Sequence, residues 1–282
     1  MGFWIPTGIV NIMGKEMSSN TTAEIFDAHI APSTVGFLLL RGKDRVPYGS
    51  GTLVKTSTTQ GILTCGHVVK ELRKEETFGV CLFPVRKNSY QALTLPVNLT
   101  AAIAISYYEK ECWAPDIAFI PIPLDDFSSL ASKGNVYDLD FGQEKYGREK
   151  ATRLGVDVMA GVVWEMTPPS SESESRVVQG VEGLMTVGRG SNIDPENGWD
   201  RILFTPEPSS ENSLPLSYGG TSGGGVWEVF VTEDGDEKKF FEKRLSGVAY
   251  CQQPGEDRTV ICHGPVSIYG KLLAEIKNRY GG

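Results

Sequence analysis

The sequence is poor in the residues that usually build metal sites and disulfide frameworks. Its 282 residues include three histidines and five cysteines. No two cysteines form a C-x-x-C pair, and an odd number of cysteines makes no complete disulfide framework, so neither a zinc site nor a disulfide-stapled domain is indicated. We therefore expect reduced thiols, no metal and no organic cofactor. The cysteines are Cys65, Cys81, Cys112, Cys251 and Cys262.

Positive charge and long apolar runs are also scarce. The chain carries 27 Lys and Arg residues against 35 Asp and Glu residues, which argues against nucleic acid or an anionic membrane as a partner. No apolar stretch approaches the roughly 20 residues that span a bilayer. Residues 1–6 lack the basic region of a secretory signal. The expectation is a cytoplasmic protein whose oligomeric state the sequence leaves open.

Helical patterns are few, whereas turn residues are abundant, with 32 glycines and 16 prolines. Short β-rich runs fall into two sets of six, one within residues 34–121 and one within residues 156–269. This pattern predicts an all-β protein with two six-stranded antiparallel β-barrels and a short C-terminal helix. The expected divisions are an N-terminal extension (1–30), a first barrel (31–125), a connection (126–155), and a second barrel with the C-terminal helix (156–282).

Two segments have helical character, and one polar segment does not look structured. Ser19–His29 predicts a short N-terminal helix. Lys271–Arg279 predicts the C-terminal helix, whose apolar face we expect to pack on the second barrel. Arg189–Trp199 is polar and is expected to be flexible.

Ser222 lies in the segment Ser217–Trp227, which contains five glycines. Glycine is needed where the backbone takes a positive φ or approaches another group closely, so the loop is built to present the serine. The backbone N–H groups of Gly220 and Ser222 can then converge on an oxygen that becomes negative during a reaction. The segment predicts a nucleophilic serine with an oxyanion hole.

Two further residues complete a possible catalytic triad. His67 follows the apolar run Ile62–Thr64, where a strand is expected to end in a small-residue turn, and Asp116 begins another apolar run. A carboxylate buried there needs a partner, and an imidazole N–H is a natural one. A serine hydroxyl needs such a base, and the base needs a carboxylate to hold its tautomer. Asp125 or Asp126 could replace Asp116 in this role.

The three segments Thr64–Val69, Asp116–Phe119 and Gly220–Gly224 resemble the three motifs of the chymotrypsin/trypsin superfamily of serine peptidases. The segment Gly49–Val54 is similar to a strand found in its intracellular, HtrA-like members. The resemblance covers residues 30–280 and implies a chymotrypsin-like pair of barrels with the active site between them. It implies a serine endopeptidase that acts on protein or peptide substrates, with His67, Asp116 and Ser222 as the triad.

The departures from the family pattern carry expectations of their own. Thr221 stands where trypsin-like zymogens have an aspartate that binds a new N-terminus, and Val68 stands where secreted members have a cysteine. Both favour an intracellular enzyme made in its final covalent form. By resemblance, the specificity pocket has its base near Leu216 and its walls near Tyr250, Gln252 and Gly264. No acidic residue occurs there, so cleavage after Arg or Lys is not favoured.

Two alternatives remain open at this point. Gly220–Gly224 also matches G-x-S-x-G, the nucleophile elbow of α/β-hydrolases, for which His263 could supply the histidine. However, Gly225–Val231 reads as a strand, where that fold needs a helix. The other alternative is a catalytically latent or inactive binding module that keeps the protease fold. His263 itself is interpreted as a core or surface residue more readily than as a pocket residue.

Overall fold

The computed structural model describes residues 3–4, 10–12, 15–17, 19–42, 44–83, 91–96, 99–106, 114–146, 154–167, 171–173, 176–178, 181, 183–208, 214–234, 237–255 and 257–281. Three short strands near the N-terminus are β1 (Phe3–Trp4), β2 (Val10–Ile12) and β3 (Lys15–Met17). The next eight are β4 (Thr34–Arg41), β5 (Asp44–Lys55), β6 (Gln60–Thr64), β7 (Thr77–Leu82), β8 (Gln91–Pro96), β9 (Ile103–Ser106), β10 (Asp116–Pro121) and β11 (Tyr137–Asp138). The last eight are β12 (Leu154–Val162), β13 (Ser171–Ser173), β14 (Arg176–Val178), β15 (Gly183–Glu196), β16 (Trp199–Pro206), β17 (Gly225–Asp234), β18 (Glu237–Gln252) and β19 (Val260–His263).

The first sheet runs in the order β8-β7-β4-β5-β6-β10-β9, and the neighbours on this path pair antiparallel. Its two ends, β8 and β9, follow each other along the chain and are separated by a 3₁₀ turn at Leu99–Ala101. The first sheet therefore has seven strands along this path rather than the expected six, because the turn divides the segment that contains β8 and β9 into two strands. The short β11 adds to β5 in parallel.

The second sheet closes on itself. Its path β15-β12-β17-β18-β19-β16 returns to its start because β15 also pairs with β16, and all six of these pairings are antiparallel. This ring of six strands is the predicted second barrel. The short β1 pairs with β15 in parallel outside the ring.

Five α-helices accompany the sheets in the described part of the chain. They are α1 (Ser19–His29), α2 (Gly66–Leu72), α3 (Leu124–Ala131), α4 (Leu139–Tyr146) and α5 (Leu273–Tyr280). A π-helical segment, Val266–Leu272, leads directly into α5, and further 3₁₀ turns lie at Ala31–Ser33 and Trp164–Met166. No helix among the described residues is both long enough and apolar enough to cross a membrane.

The predicted fold class is confirmed: the chain is mostly β, with two antiparallel sheets and a short C-terminal helix, as expected for a two-barrel chymotrypsin-like protein. Burial explains why the strands form, since central strands such as β10 and β6 are apolar and buried along nearly their whole length. Trp227, at 0% exposure, is among the largest of the fully buried side chains. The domain boundaries proposed from the sequence stay predictions.

Three expectations need correction. Arg189–Trp199 is not a flexible region, because most of it belongs to the paired strands β15 and β16. The C-terminal helix does not pack on the second sheet alone, since Tyr280 at its end contacts Phe119 and donates a hydrogen bond to Ala101 of the first half. Cys251 is disulfide-bonded rather than reduced.

The other described cysteines agree with the expectation of free thiols. Cys65, Cys81 and Cys262 are free and buried, and Cys112 lies outside the described residues. Spacing along the chain does not show which cysteines meet in space, so the sequence could not single out Cys251.

Candidate functional site

His67 is the second residue of α2, which begins directly after β6. The sequence predicted a strand end followed by a turn; the strand end is correct, but the turn is the start of a helix. The inner face of this helix is buried and includes Val68, Val69 and Leu72. The His67 side chain is 27% exposed, so it is anchored by a buried helix yet reaches the surface.

Asp116 is the first residue of β10, which lies between β6 and β9. Its side chain is 0% exposed, and both carboxylate oxygens bond to His67. Oδ1 accepts a hydrogen bond from the His67 backbone N–H at 2.8 Å, and Oδ2 contacts the ring nitrogen Nδ1. In a neutral imidazole the proton then lies on Nδ1, which leaves Nε2 as the basic nitrogen. Asp125 and Asp126, the alternatives, lie in the first turn of α3.

Ser222 lies in the loop between β16 and β17, and the predicted need for glycine there is borne out by two positions. Gly220 and Gly223 have φ values of +97° and +90°, a region that residues with a side chain rarely adopt. A Cβ atom at Gly223 would also lie 2.1 Å from the carbonyl oxygen of Ser50. The loop is held against the first sheet, because the Ser50 N–H donates to the Ser222 carbonyl oxygen at 2.8 Å.

The hydroxyl of Ser222 makes a long hydrogen bond. Ser222 Oγ donates to the carbonyl oxygen of Tyr250 at 3.4 Å. Within the described residues it makes this bond and none to the His67 ring. The structure therefore brings His67 and Asp116 into direct contact, whereas the Ser222 hydroxyl is turned to the backbone of β18.

The peptide that carries the Gly220 N–H is fixed by its neighbour. The carbonyl oxygen of Gly219 accepts a hydrogen bond from the Trp164 N–H at 2.9 Å. Because the C=O and N–H of a trans peptide point in opposite directions, this bond aims the Gly220 N–H away from Trp164. In the described part of the chain, neither the Gly220 N–H nor the Ser222 N–H donates a hydrogen bond. Both donors are therefore unengaged within the described residues.

Thr221 is buried at 4% exposure and closes a tight turn. Its N–H and its hydroxyl both donate to the carbonyl oxygen of Tyr218, at 3.0 and 2.8 Å. The position therefore needs no partner from the N-terminus to keep its shape. This contact gives Thr221 a structural role where the family pattern has an aspartate.

The residues predicted for the specificity pocket lie in different surroundings. The Leu216 side chain is 72% exposed, and its role at the base of a pocket stays a prediction. Glu165 holds this segment, since its carboxylate accepts the N–H groups of Leu216 and Ser217 at 3.2 and 2.8 Å. Gln252 bridges to the same segment by accepting the Tyr218 N–H at 2.8 Å and donating to the Leu216 carbonyl oxygen at 3.3 Å.

Tyr250 and Gly264 occupy different surroundings. Tyr250 is buried at 4% exposure, and burial raises the pKa of its hydroxyl to about 12. Its carbonyl group, rather than its ring, faces Ser222. Gly264 packs against Asp200, where a Cβ atom would lie 2.3 Å from a carboxylate oxygen. Gly264 therefore serves packing at the end of β19.

One cluster of possible metal ligands coincides with the site. Single ligand atoms of Cys65, His67 and Asp116 lie within 4.8 Å of one another. However, burial raises the pKa of the Cys65 thiol well above its ordinary value, so the thiolate that a metal requires is disfavoured. The thiol donates instead to the Ala249 carbonyl oxygen at 3.1 Å. The cluster fits packing beneath His67 better than a metal centre.

Two residues at the site were not predicted from the sequence. Ser50 contacts the serine loop, and His263 contacts Asp116 by accepting its backbone N–H at Nε2, at 2.9 Å. Burial is the main influence on the His263 ring and lowers its pKa to about 4. A lone histidine in an apolar strand is typical of a core residue, and no local pattern marked it out.

No protein-family profile and no curated protein sequence matches the chain. Among solved structures, the chain is similar to a scabies mite inactivated protease paralogue, S-D1, with 12% sequence identity and a TM-score of 0.44, covering 89% of this chain and 93% of that chain. A likeness this distant carries no inference about activity, and the finer resemblance to HtrA-like members stays a prediction.

Proposed function

We propose that the protein is a serine endopeptidase that cleaves peptide bonds through an acyl-enzyme. The observation that supports this best is the pair of bonds from the fully buried Asp116 carboxylate to the backbone and Nδ1 of His67. The pair sets the His67 tautomer in which Nε2 is basic, and we propose Ser222, in its glycine-rich loop, as the group that this base activates. In a catalytic triad, such a carboxylate holds the imidazole in the reactive tautomer and orientation.

In this mechanism Ser222 Oγ attacks the carbonyl carbon of the scissile bond. His67 Nε2 takes the hydroxyl proton and then passes it to the leaving amine, while Asp116 stabilises the charged imidazole. Water then enters, loses a proton to the same nitrogen, and releases the acyl group. The Ser222 hydroxyl first has to turn from the Tyr250 carbonyl oxygen toward His67. Such catalytic contacts often tighten only when substrate binds.

The N–H groups of Gly220 and Ser222 are proposed to bind the oxyanion. Their availability and the fixed Gly219–Gly220 peptide support this role, since preorganised donors need no rearrangement as charge develops. The proposed substrate is a protein or peptide with a non-basic side chain before the cleaved bond. Glu165 is the acidic side chain that contacts the Leu216–Ser217 segment, and its oxygens are already engaged by two N–H groups.

The test is digestion of a diverse peptide library by the purified protein, with the products identified by mass spectrometry. Wild-type protein should cleave after non-basic residues, whereas Ser222→Ala and His67→Ala should give no cleavage above background. The two variants should keep the wild-type circular dichroism spectrum, because both side chains are partly exposed. Cleavage by Ser222→Ala at the wild-type rate would contradict the mechanism, and a dominant preference for cleavage after Arg or Lys would contradict the proposed specificity.

A second candidate is a latent or inactive protease-fold binding module. The specific observation in its favour is the Ser222 hydroxyl, which bonds to Tyr250 and not to the His67 ring among the described residues. The two candidates differ in one property. A peptidase cleaves peptides in the isolated state, whereas a latent module cleaves none until a partner reorients Ser222, and a pure binding module cleaves none at all.

A further inference from the structure

His263 lies where the two sheets meet beneath the candidate site. It is the last residue of β19 in the second sheet and is 0% exposed. Its Nε2 atom lies 2.9 Å from the backbone nitrogen of Asp116, the first residue of β10 in the first sheet. A backbone N–H can only donate, so Nε2 accepts this bond and carries no proton. The bond ties the strand that carries Asp116 to the sheet that carries Ser222.

The ring of His263 also reaches the serine side of the site. It stacks on the Tyr250 ring with centroids 4.3 Å apart and an interplanar angle of 16°. The carbonyl oxygen of Tyr250 is the group that accepts the Ser222 hydroxyl. The contacts therefore run without a break from Ser222 through Tyr250, His263 and Asp116 to His67.

The second ring nitrogen shows that this histidine is not placed for stability alone. With Nε2 as acceptor, the neutral ring carries its proton on Nδ1, and this buried N–H has no partner among the residues described. An unmet buried donor destabilises the folded state. An apolar side chain would avoid that penalty, so the bond to Asp116 is what the histidine adds at this position.

We propose that His263 is a positioning residue, whose Nε2 atom fixes the backbone of Asp116 relative to the second sheet and so keeps Asp116 and His67 in register with Ser222. The inference rests on the peptidase activity proposed above, because the register matters for proton transfer between Ser222 and His67. The His67–Asp116 pair comes from the first sheet and Ser222 from the second. A bond between the two sheets at Asp116 therefore acts where the position of the His67–Asp116 pair has to match that of Ser222.

The test compares His263→Gln with His263→Met. The two side chains have nearly the same length and volume, and both remove the ring stack on Tyr250, but only glutamine offers an acceptor near the position of Nε2. With a peptide substrate found by digestion, His263→Met should lower kcat about 100-fold, since displacements of about 1 Å cost this much, and should change KM less than about threefold. His263→Gln should retain most of the wild-type kcat. Equal losses of kcat in both variants would overturn the proposal.

A second measurement needs no turnover. Imidazole nitrogen NMR of the wild-type protein should show His263 protonated at Nδ1 and unprotonated at Nε2. The His67 ring signals should move in His263→Met and stay near their wild-type positions in His263→Gln. A proton on Nε2 of His263 would contradict the proposal, and so would His67 signals that stay at their wild-type positions in His263→Met.

The two measurements separate the possible failures. If the wild-type protein cleaves no peptide, the proposed function fails, while the NMR signals of His67 and His263 still decide whether the bond to Asp116 positions the pair. If His263→Met shows no cooperative thermal unfolding, and so is not folded, two observations test the acceptor role instead: the tautomer of His263 in the wild-type protein and the kcat of His263→Gln. A kcat for His263→Gln about 100-fold below wild type would then count against the acceptor role.

Discussion

Ser50 is a small side chain that contacts both sheets at the candidate site. It is fully buried on β5, and its hydroxyl donates to the Gly220 carbonyl oxygen and accepts the Val162 N–H, each at 2.7 Å. Its own N–H donates to the carbonyl oxygen of Ser222. One residue of the first sheet thus holds the serine loop at two points.

Ser50→Ala should therefore impair both stability and turnover. The Val162 N–H would lose its acceptor, which should lower the free energy of unfolding by about 1–3 kcal/mol, as measured by urea denaturation. The serine loop would lose one anchor, and kcat should fall about tenfold through misplacement of the oxyanion donors. Ser128→Ala is the control, because that exposed hydroxyl bonds within α3. A normal kcat in a destabilised Ser50→Ala protein would limit Ser50 to packing.

The buried His263 also predicts a pH dependence of stability. Burial lowers its pKa from 6.5 to about 4, so the unfolded chain binds a proton more tightly between these pH values. The free energy of unfolding should thus be unaffected by this group above pH 6.5 and should fall as the pH drops toward 4, by roughly 3 kcal/mol in all.

The measurement is the free energy of unfolding against pH for the wild-type protein and His263→Gln. The variant lacks this titration, so its curve should be flatter between pH 6.5 and 4, while carboxylates affect both curves alike. Parallel curves over this interval would show that His263 does not titrate as its burial requires.

Candidate residues could be picked out where the local sequence carries a pattern. His67, Asp116 and Ser222 each lie at the edge of an apolar or glycine-rich run, and the structure brings the first two into contact. His263 carries no such pattern, since its partner Asp116 lies 147 residues away along the chain. Only the fold shows that they meet.

At the scale of elements, Asp200 organises the start of the C-terminal helical region. It is the second residue of β16 and is buried at 7% exposure. Its carboxylate accepts the N–H groups of Val266 and Ser267, at 2.9 and 2.7 Å, and the Ser267 hydroxyl at 2.8 Å. A strand residue thus supplies the capping group that Val266–Leu272 lacks in its own sequence.

Asp200→Ala should lower the free energy of unfolding by about 3 kcal/mol, because it leaves three donors without their carboxylate partner. Urea denaturation measures this, and Asp257→Ala, a change at an exposed residue, should have little effect. Equal effects of the two substitutions would mean that the carboxylate does not hold the helical segment.

Elements could be predicted where burial determines the pattern. The strands Thr34–Arg41 and Asp116–Pro121 begin and end the predicted first set of β-rich runs, residues 34–121, and α1 spans the predicted Ser19–His29. Arg189–Trp199 was interpreted wrongly because backbone pairing, not burial, makes it a hairpin. The signal present was Asn197-Gly198, with φ values of 53° and 79°, a pair that favours such turns.

At the scale of the whole molecule, the candidate site depends on how the two sheets meet. The sheets are joined at the site by Ser50 and His263. Away from the site, Lys243 of β18 binds the segment that precedes the first sheet, where it donates to the His29 carbonyl oxygen and the Ser33 hydroxyl at 2.5 and 2.7 Å. The C-terminal helix contacts both halves. These joints involve residues far apart in sequence, so the sequence predicted two barrels but not their contacts.

The central claim is that Ser222 is a nucleophile activated by His67. Mass spectrometry of the purified protein after treatment with a fluorophosphonate tests it most directly, with Ser222→Ala and His67→Ala beside the wild type. We expect one label per wild-type chain at Ser222, none in Ser222→Ala, and strongly slowed labelling in His67→Ala. A well-folded wild-type protein that stays unlabelled, or that labels equally without His67, would contradict the claim.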